Sequence, residues 1–263
     1  MGIERARGIQ AKLDRAKKHI AELNREIGIF LDGNHYAVSP YFNADTRHCE
    51  WILDRADEIP IAFSAIVGEC LQNIRSALDY LIWQLVIANN GSPKSGVTGF
   101  PIANDFHGYC SANFKRKITG VRPDIVTAID QLKPYKGGND LLWQLHSLNN
   151  MDKHRLLLSA ASAVTHRHVL PTERQILSYF TDDPAGADLY RGVFIPATNA
   201  RFPPVVGEVC LSIRESEMEN DFTFRMGISF NEPGIVVGEP ILETVQQFFE
   251  LASEIASRFE ADL

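Results

Sequence analysis

Residues 61–90, IAFSAIVGECLQNIRSALDYLIWQLVIANN, are the stretch that decides the fold of the first part of this chain. Pro60 precedes the stretch and Gly91 follows it, and these residue types are typical of the two ends of a helix. Arg75 and Asp79 lie one helical turn apart on its flank, at the spacing of an ion pair. The apolar stripe is wide enough for the centre of a helical bundle and consists of Ala65, Ile66, Cys70, Ile74, Ala77, Leu78, Leu81, Ile82 and Leu85. We therefore predict a helical bundle around this segment.

A long first helix is predicted over residues 6–30, where apolar residues alternate at spacings of three and four. This period is typical of coiled coils and tightly packed bundles. Two interpretations stay open: the helix packs on its own chain, or it pairs with a second copy in a homodimer. The apolar seam consists of Ala6, Ile9, Leu13, Ala16, Ile20, Leu23, Ile27 and Phe30.

The later part of the chain has the alternation typical of β-strands. VCLSI (209–213) and FTFRMGISF (222–230) alternate apolar and polar residues, and the acidic link RESEMEND (214–221) suggests that they form a hairpin. Another short strand, IVVG (235–238), follows a turn, and Pro240 begins a C-terminal amphipathic helix. A short hairpin is also predicted much earlier, at about residues 35–58.

These elements predict an α+β protein: an N-terminal helical bundle with a long first helix, then an antiparallel β-hairpin region and a C-terminal helix. The mainly helical part covers residues 1–165, and the antiparallel β part with the last helix covers 166–263. Because the early hairpin can join the later sheet, a single domain is the alternative.

The composition excludes several classes of protein. No run of about 18 apolar residues exists, and the four cysteines have no paired spacing, so we predict a cytoplasmic protein without a membrane span, disulfides or a cysteine-based metal site. The net charge of −7 argues against a protein that simply coats nucleic acid. The charge is uneven, however: residues 113–168 hold 9 Lys and Arg against 4 Asp and Glu, whereas 169–263 hold 6 against 16. The basic middle segment is therefore the candidate surface for an anionic partner.

The stretch LHSLNNMDKHRLLL (145–158) concentrates the polar chemistry of the chain. On a helix predicted over roughly 140–164, one side carries His146, Asn150 and Lys153, with His154 beside them. Such a face can bind a ligand, with Asn149 and Asp152 as further ligand-binding candidates beside His146. It can equally be a buried polar network in a non-enzymatic structural or interaction protein.

Common enzyme motifs are absent from the sequence, which contains no GxSxG, P-loop or GxGxxG. His146 and His154 are eight residues apart, too far for two ligands on adjacent turns, so no metal site and no cofactor are predicted. A small-ligand or metal binder that also uses His166 and His168 is kept as the weakest alternative.

The segment NNMDKH (149–154) resembles the signature region of HEPN domains, helical-bundle proteins of bacterial toxin–antitoxin and defence systems. The resemblance covers residues 60–165 at most. Asn150 and His154 match the Asn and His of the family motif, but Asn149 stands where the motif has an arginine. The wider pattern, with IRSALDYL, FPI and LNNMDKHR, is also similar to that of a bacterial family and implies no chemistry.

The HEPN resemblance implies RNA binding or metal-independent RNA cleavage. His154 would transfer a proton, and Asn150 would orient its imidazole. Lys153 and Arg155 would offset phosphate charge, helped by the basic residues 115–117. Arg155 or Arg75 would replace the missing arginine, if the fold brings one of them to the site.

Overall fold

The structure is a computed structural model that describes residues 2–157, 159–166, 194–196, 202–217 and 223–263. The chain is an α+β protein with a long first helix, antiparallel sheets and a C-terminal helix, as predicted. The helices are α1 (Gly2–Asp32), α2 (Ile61–Ala88), α3 (Phe106–Tyr109), α4 (Ala112–Lys115), α5 (Pro123–Gln131), α6 (Asp140–Asp152) and α7 (Ile241–Arg258), and a 3-10 turn covers Arg116–Ile118. The strands are β1 (Tyr36–Asn43), β2 (His48–Ala56), β3 (Ser159–His166), β4 (Phe194–Pro196), β5 (Val209–Arg214), β6 (Thr223–Glu232) and β7 (Val236–Pro240).

The chain groups into two compact units, each made of separate segments. The helical unit contains Met1–His19, Gly68–Leu156 and Val245–Leu263, and the sheet unit contains Ile20–Val67 and Leu157–Thr244. The helical unit thus includes most of α7, the last helix of the chain. The two units are groups of segments that contact one another, and the domain boundary near residue 165 stays a prediction.

The two long helices bury the apolar residues that the sequence pattern selects. In α1, seven of the eight seam residues are buried, from Ile9 to Phe30. Residues of the same chain therefore cover this seam, in agreement with the interpretation in which the helix packs on its own chain. In α2 the predicted stripe is buried from Cys70 onward, but Ala65 is exposed and Phe63 and Val67 are buried instead. No helix among the described residues has both the length and the apolar character that are needed to cross a membrane.

The sheet unit contains two antiparallel sheets, with strand orders β1-β2-β5 and β4-β3-β6-β7. The early hairpin is confirmed, with Asn43 opposite His48, and its second strand pairs with β5. The predicted hairpin between 209–213 and 222–230 is wrong, because β5 pairs with β2 while β6 pairs with β3 and β7. Alternation identified β5 and β6 as strands but carries no information on the partner of either. Phe222 lies outside the described residues.

The predicted helix over 140–164 is too long. It ends at Asp152, and Ser159–His166 forms strand β3, paired with β6 from Ser159 opposite Phe230 to His166 opposite Thr223. The alanine-rich stretch SAASAV favours a helix locally. Pairing with β6 satisfies its backbone groups in a strand instead, so tertiary context overrides propensity.

Candidate functional site

Helix α6 and the turn after it carry most of the predicted site residues. The helix begins where the Asn139 side chain accepts a hydrogen bond from the backbone N–H of Leu142, a typical N-cap. Lys153 follows the last helical residue, and the backbone N–H of His154 donates to the carbonyl of Met151 at 2.9 Å. The polar residues are therefore divided between a rigid helix and an exposed turn. His146, Asn149, Asn150 and Asp152 lie on the helix, while Lys153, His154 and Arg155 lie after it.

Arg75 is the buried centre of this site, with an exposure of only 6%. Its Nη1 donates to Oδ1 of Asp79 at 2.6 Å, and its Nη2 donates to the backbone carbonyl of Phe100 at 2.8 Å. Its Nε donates to Nδ1 of His146 at 3.5 Å. One guanidinium thus joins α2, the segment around residue 100 and α6, as its fixed fork of donors allows.

Asp79 completes this arrangement, because its Oδ1 also accepts a hydrogen bond from the backbone N–H of Phe100 at 2.8 Å. The chain comes so close here that a β-carbon added at Gly99 would lie 2.5 Å from the same oxygen. A glycine is therefore needed at this position. The i, i+4 spacing predicted the Arg75–Asp79 pair, but nothing in the sequence indicated that residues 99–100 bind it.

His146 has an unusual electrostatic environment for a histidine. Its Nδ1 faces Arg75, and its Nε2 lies 3.0 Å from the amide Nδ2 of Asn150. The pKa of His146 is lowered from 6.5 to about 3, first by burial and then by the positive charges of Arg75, Lys117 and Lys153. A neutral imidazole can accept at Nδ1 from Arg75, whereas an imidazolium would place a donor against that guanidinium. The ring is neutral at physiological pH.

Two lysines complete the group. Lys153 is exposed, and its Nζ donates to Oδ1 of Asn150 at 3.5 Å. Lys117 is half-buried, and burial lowers its pKa, as do the charges of Arg75 and Lys153. We call Arg75, Asp79, Lys117, His146, Asn150 and Lys153 the Arg75 cluster. It holds three cations and one carboxylate, so its net charge is positive.

The structure brings some predicted residues together and separates others. His146, Asn150 and Lys153 share a face, as predicted from the helical spacing. Arg75 joins them through His146, and the described contacts of Arg75 do not include His154. Lys117 is part of the basic stretch 115–117, but the sequence did not single it out from its neighbours. The middle of the chain therefore supplies the cluster from three separate segments.

Asn149 holds the position at which the HEPN motif has its arginine, and it is buried, with an exposure of 2%. Its Oδ1 has no hydrogen-bond partner among the described residues. Asn149 is uncharged as well as buried, so it cannot replace the arginine of the motif as a partner of a substrate phosphate. His154 and Arg155 are exposed, and Arg155 donates to the carbonyl of Leu156 at 3.0 Å.

Asp152 lies against α2 rather than in the cluster. A β-carbon added at Gly68 would lie 2.6 Å from Cγ of Asp152, which means that the two helices approach closely at this glycine. Burial raises the pKa of the Asp152 carboxyl. No contact among the described residues supports the predicted role of Asp152 in ligand binding.

Gly68→Ala is expected to destabilise the protein in the presence of Asp152 and to stabilise it in its absence. Alanine is about 1 kcal/mol better than glycine inside a helix, but the added methyl group collides with the carboxylate. In an Asp152→Ala background the collision is removed, and only the gain in helix propensity remains. Thermal melts of the four variants of this double-mutant cycle measure the change of sign. Equal effects of Gly68→Ala in both backgrounds would contradict the close approach.

Metal binding has no support among the described residues, which contain no group of three or more His, Cys, Asp or Glu able to hold an ion. His166 lies in β3, and His168 lies outside the described residues. The small-ligand or metal alternative built on His146, His154, His166 and His168 therefore stays a prediction.

Comparison with protein-family models, with curated proteins and with solved structures finds no match to the chain. The class of protein is therefore defined by its own fold and site. It is an α+β protein whose helical unit carries a positively charged cluster around a neutral histidine.

Proposed function

We propose that the helical unit binds RNA, with a backbone phosphate held at the Arg75 cluster. The observation that carries this proposal is the gathering of Arg75, Lys117 and Lys153 around a histidine that stays neutral. Holding cations together costs electrostatic free energy, and an anion placed among them recovers it. The site is therefore built for negative charge.

The chemistry of the donors favours a phosphate over a metal ion. Lysine ammonium groups and amide N–H groups all donate hydrogen bonds, and phosphate oxygens accept them. The carboxylate of Asp79 is already bound to Arg75 and to the N–H of Phe100. The positive charge of residues 113–168 and the HEPN resemblance over residues 60–165 support RNA as the source of the phosphate.

We further propose that the bound RNA is cleaved and that this cleavage depends on His154. With a pKa of about 3, His146 lacks the acidic proton of an imidazolium at neutral pH and is a weak base. His154 is exposed next to Lys153 and is the histidine that the resemblance assigns to proton transfer. We expect His154→Ala to abolish metal-independent cleavage in EDTA while RNA binding is retained.

Binding of a labelled single-stranded RNA, followed by fluorescence anisotropy, tests the proposal. Removing one phosphate contact with Lys153→Gln or Lys117→Gln is expected to weaken binding about tenfold at low salt and to reduce the salt slope by about 0.7. Lys94→Gln, at an exposed lysine of the same unit, is the matched control and should change neither. Because burial and the charges of Arg75 and Lys153 disfavour a charged Lys117, and Asp79 opposes them only in part, Lys117→Gln should not lower the melting temperature. Equal RNA affinity in all three variants would overturn the proposal.

The non-enzymatic alternative, in which the cluster is only a structural clasp, also has an observation in its favour. Arg75 is buried, and its hydrogen bonds join three segments of the helical unit. This alternative includes a homodimer. Because the apolar seam in residues 6–30 is already buried within the chain, the two copies would need another surface for their contact. A cytoplasmic location is likewise a proposal, supported by the four cysteines, none of which forms a disulfide among the described residues.

A further inference from the structure

A second feature of the helical unit is a pocket of about 420 Å³ beside the segments that build the Arg75 cluster. Its volume lies in the range of small-molecule sites, roughly 300–1,000 Å³. Aromatic rings form much of its wall, and one carboxylate and one lysine supply charge. The aromatic and charged residues of the wall include Phe106, Tyr109, Phe114, Lys115, Asp130 and Tyr135.

The aromatic wall offers flat apolar surface to a ligand. Phe106 and Tyr135 meet edge to face with ring centroids 5.4 Å apart, and the rings of Tyr109 and Tyr135 are 5.5 Å apart. Phe106 is 62% exposed, a large value for a phenylalanine that has ring neighbours. Rings presented in this way stack with nucleobases, because every base has a π-face.

The carboxylate of Asp130 gives the pocket a specific hydrogen-bond acceptor. The hydroxyl of Tyr109 donates to its Oδ1 at 2.6 Å. Burial, together with this hydrogen bond, raises the pKa of Tyr109, so the hydroxyl keeps its proton and fixes the carboxylate. A carboxylate has about four acceptor positions on two oxygens, which leaves room for two further donors from a ligand.

The pocket and the Arg75 cluster are built from the same two stretches of chain. Pro101 lines the pocket, while the preceding residue, Phe100, binds Arg75 and Asp79 through its backbone. Lys115 lines the pocket, and Lys117, two residues later, belongs to the cluster. An RNA strand with a phosphate at the cluster can therefore place a neighbouring base in the pocket.

We infer that the pocket binds a single unpaired guanine base of the RNA. Guanine presents two adjacent donors, N1–H and the N2 amino group, which match the two oxygens of the Asp130 carboxylate. Adenine and cytosine present an amino group beside an unprotonated ring nitrogen, and uracil presents one N–H between two carbonyls. In each of these bases a lone pair faces the carboxylate and repels it. This inference rests on the proposed RNA binding for its substrate class.

Protection of Cys110 from alkylation tests the inference with a probe that lacks a phosphate. Cys110 lines the pocket and is exposed, so N-ethylmaleimide should modify it, and peptide mass spectrometry separates it from the other cysteines. Guanosine at ten times its dissociation constant should slow this modification about tenfold, and uridine at the same concentration should protect much less. Equal protection by the two nucleosides, or none by guanosine, would overturn the inference.

Two variants make the test specific. Asp130→Asn should lower guanosine affinity about tenfold and should not lower uridine affinity, because only guanine offers two donors to the two carboxylate oxygens. Phe106→Ala removes an exposed ring and should weaken both nucleosides about tenfold through lost stacking. Asp130→Asn without effect on guanosine would contradict the assignment, provided that its melting curve matches the wild type. If that variant fails to fold, Phe106→Ala without effect on either nucleoside would contradict it.

The two experiments can contradict the base pocket and the phosphate site independently of each other. RNA affinity that depends on Lys153, combined with no protection by guanosine, would overturn the base pocket and leave phosphate binding standing. Guanosine protection, combined with RNA affinity that is insensitive to Lys117→Gln and Lys153→Gln, would support the base pocket and overturn the phosphate site.

Discussion

Replacement of Arg75 with leucine is expected to lower the free energy of unfolding by about 3 kcal/mol, or roughly 8 °C in melting temperature for a chain of this size. The substitution removes the partner of the Asp79 carboxylate and leaves the carbonyl of Phe100 without its donor. Breaking a buried pair by deleting one member typically costs 3–5 kcal/mol, roughly, and the partial exposure of Asp79 puts this case at the low end.

Arg47→Ala is the control for this experiment. Arg47 forms an ion pair with Glu215, but both side chains are well exposed. Such pairs contribute about 0–1 kcal/mol, so the melting temperature should change little. Similar small effects of Arg75→Leu and Arg47→Ala in thermal melts would contradict the central position of Arg75.

Acid is expected to destabilise the protein specifically through His146. Its pKa is lowered from 6.5 to about 3 in the folded state, so the unfolded chain binds a proton over this window and the folded chain does not. The folded state is thus fully stable with respect to this group above pH 6.5 and loses stability as the pH falls. The loss amounts to about 1.4 kcal/mol per pH unit below that value.

His146→Gln removes this titration and therefore flattens the pH dependence. Between about pH 6.5 and pH 4.5, wild type should lose about 2.3 kcal/mol more than this variant. Urea unfolding at several pH values measures the difference, and His154→Gln, at an exposed histidine, serves as the control. Parallel pH profiles for wild type and His146→Gln would contradict this prediction, because they would show that His146 has the same pKa in the folded and unfolded states.

The sequence was sufficient to predict the elements that depend on local patterns. The helical period of α1 and α2 follows directly from the spacing of their apolar residues. The end of α6 did not follow, because the alanine-rich residues after Ser159 prefer a helix until β6 is there to pair with them. Strand partners are long-range choices, and the pairing of β5 with β2 had no local signal.

The sequence likewise predicted the part of the candidate site that lies within one segment, but not the contacts between segments. The shared face of His146, Asn150 and Lys153 follows from helical geometry within one segment. The contacts of Arg75 with Phe100, and the proximity of Lys117, depend on how three distant segments meet. The position of the His146 ring among cations from three segments therefore had no signal in the sequence.

The pKa of His146 with and without bound RNA is the measurement that tests phosphate binding at the Arg75 cluster most directly. A phosphate among Arg75, Lys117 and Lys153 offsets the charges that help to keep the imidazole neutral, so bound RNA should raise this pKa from about 3 towards 6.5. NMR titration of the ring signals of His146, in free protein and in the RNA complex, gives both values. We expect a clear upward shift in the complex. The same pKa in both states, with RNA bound at saturation, would show that the phosphate lies elsewhere.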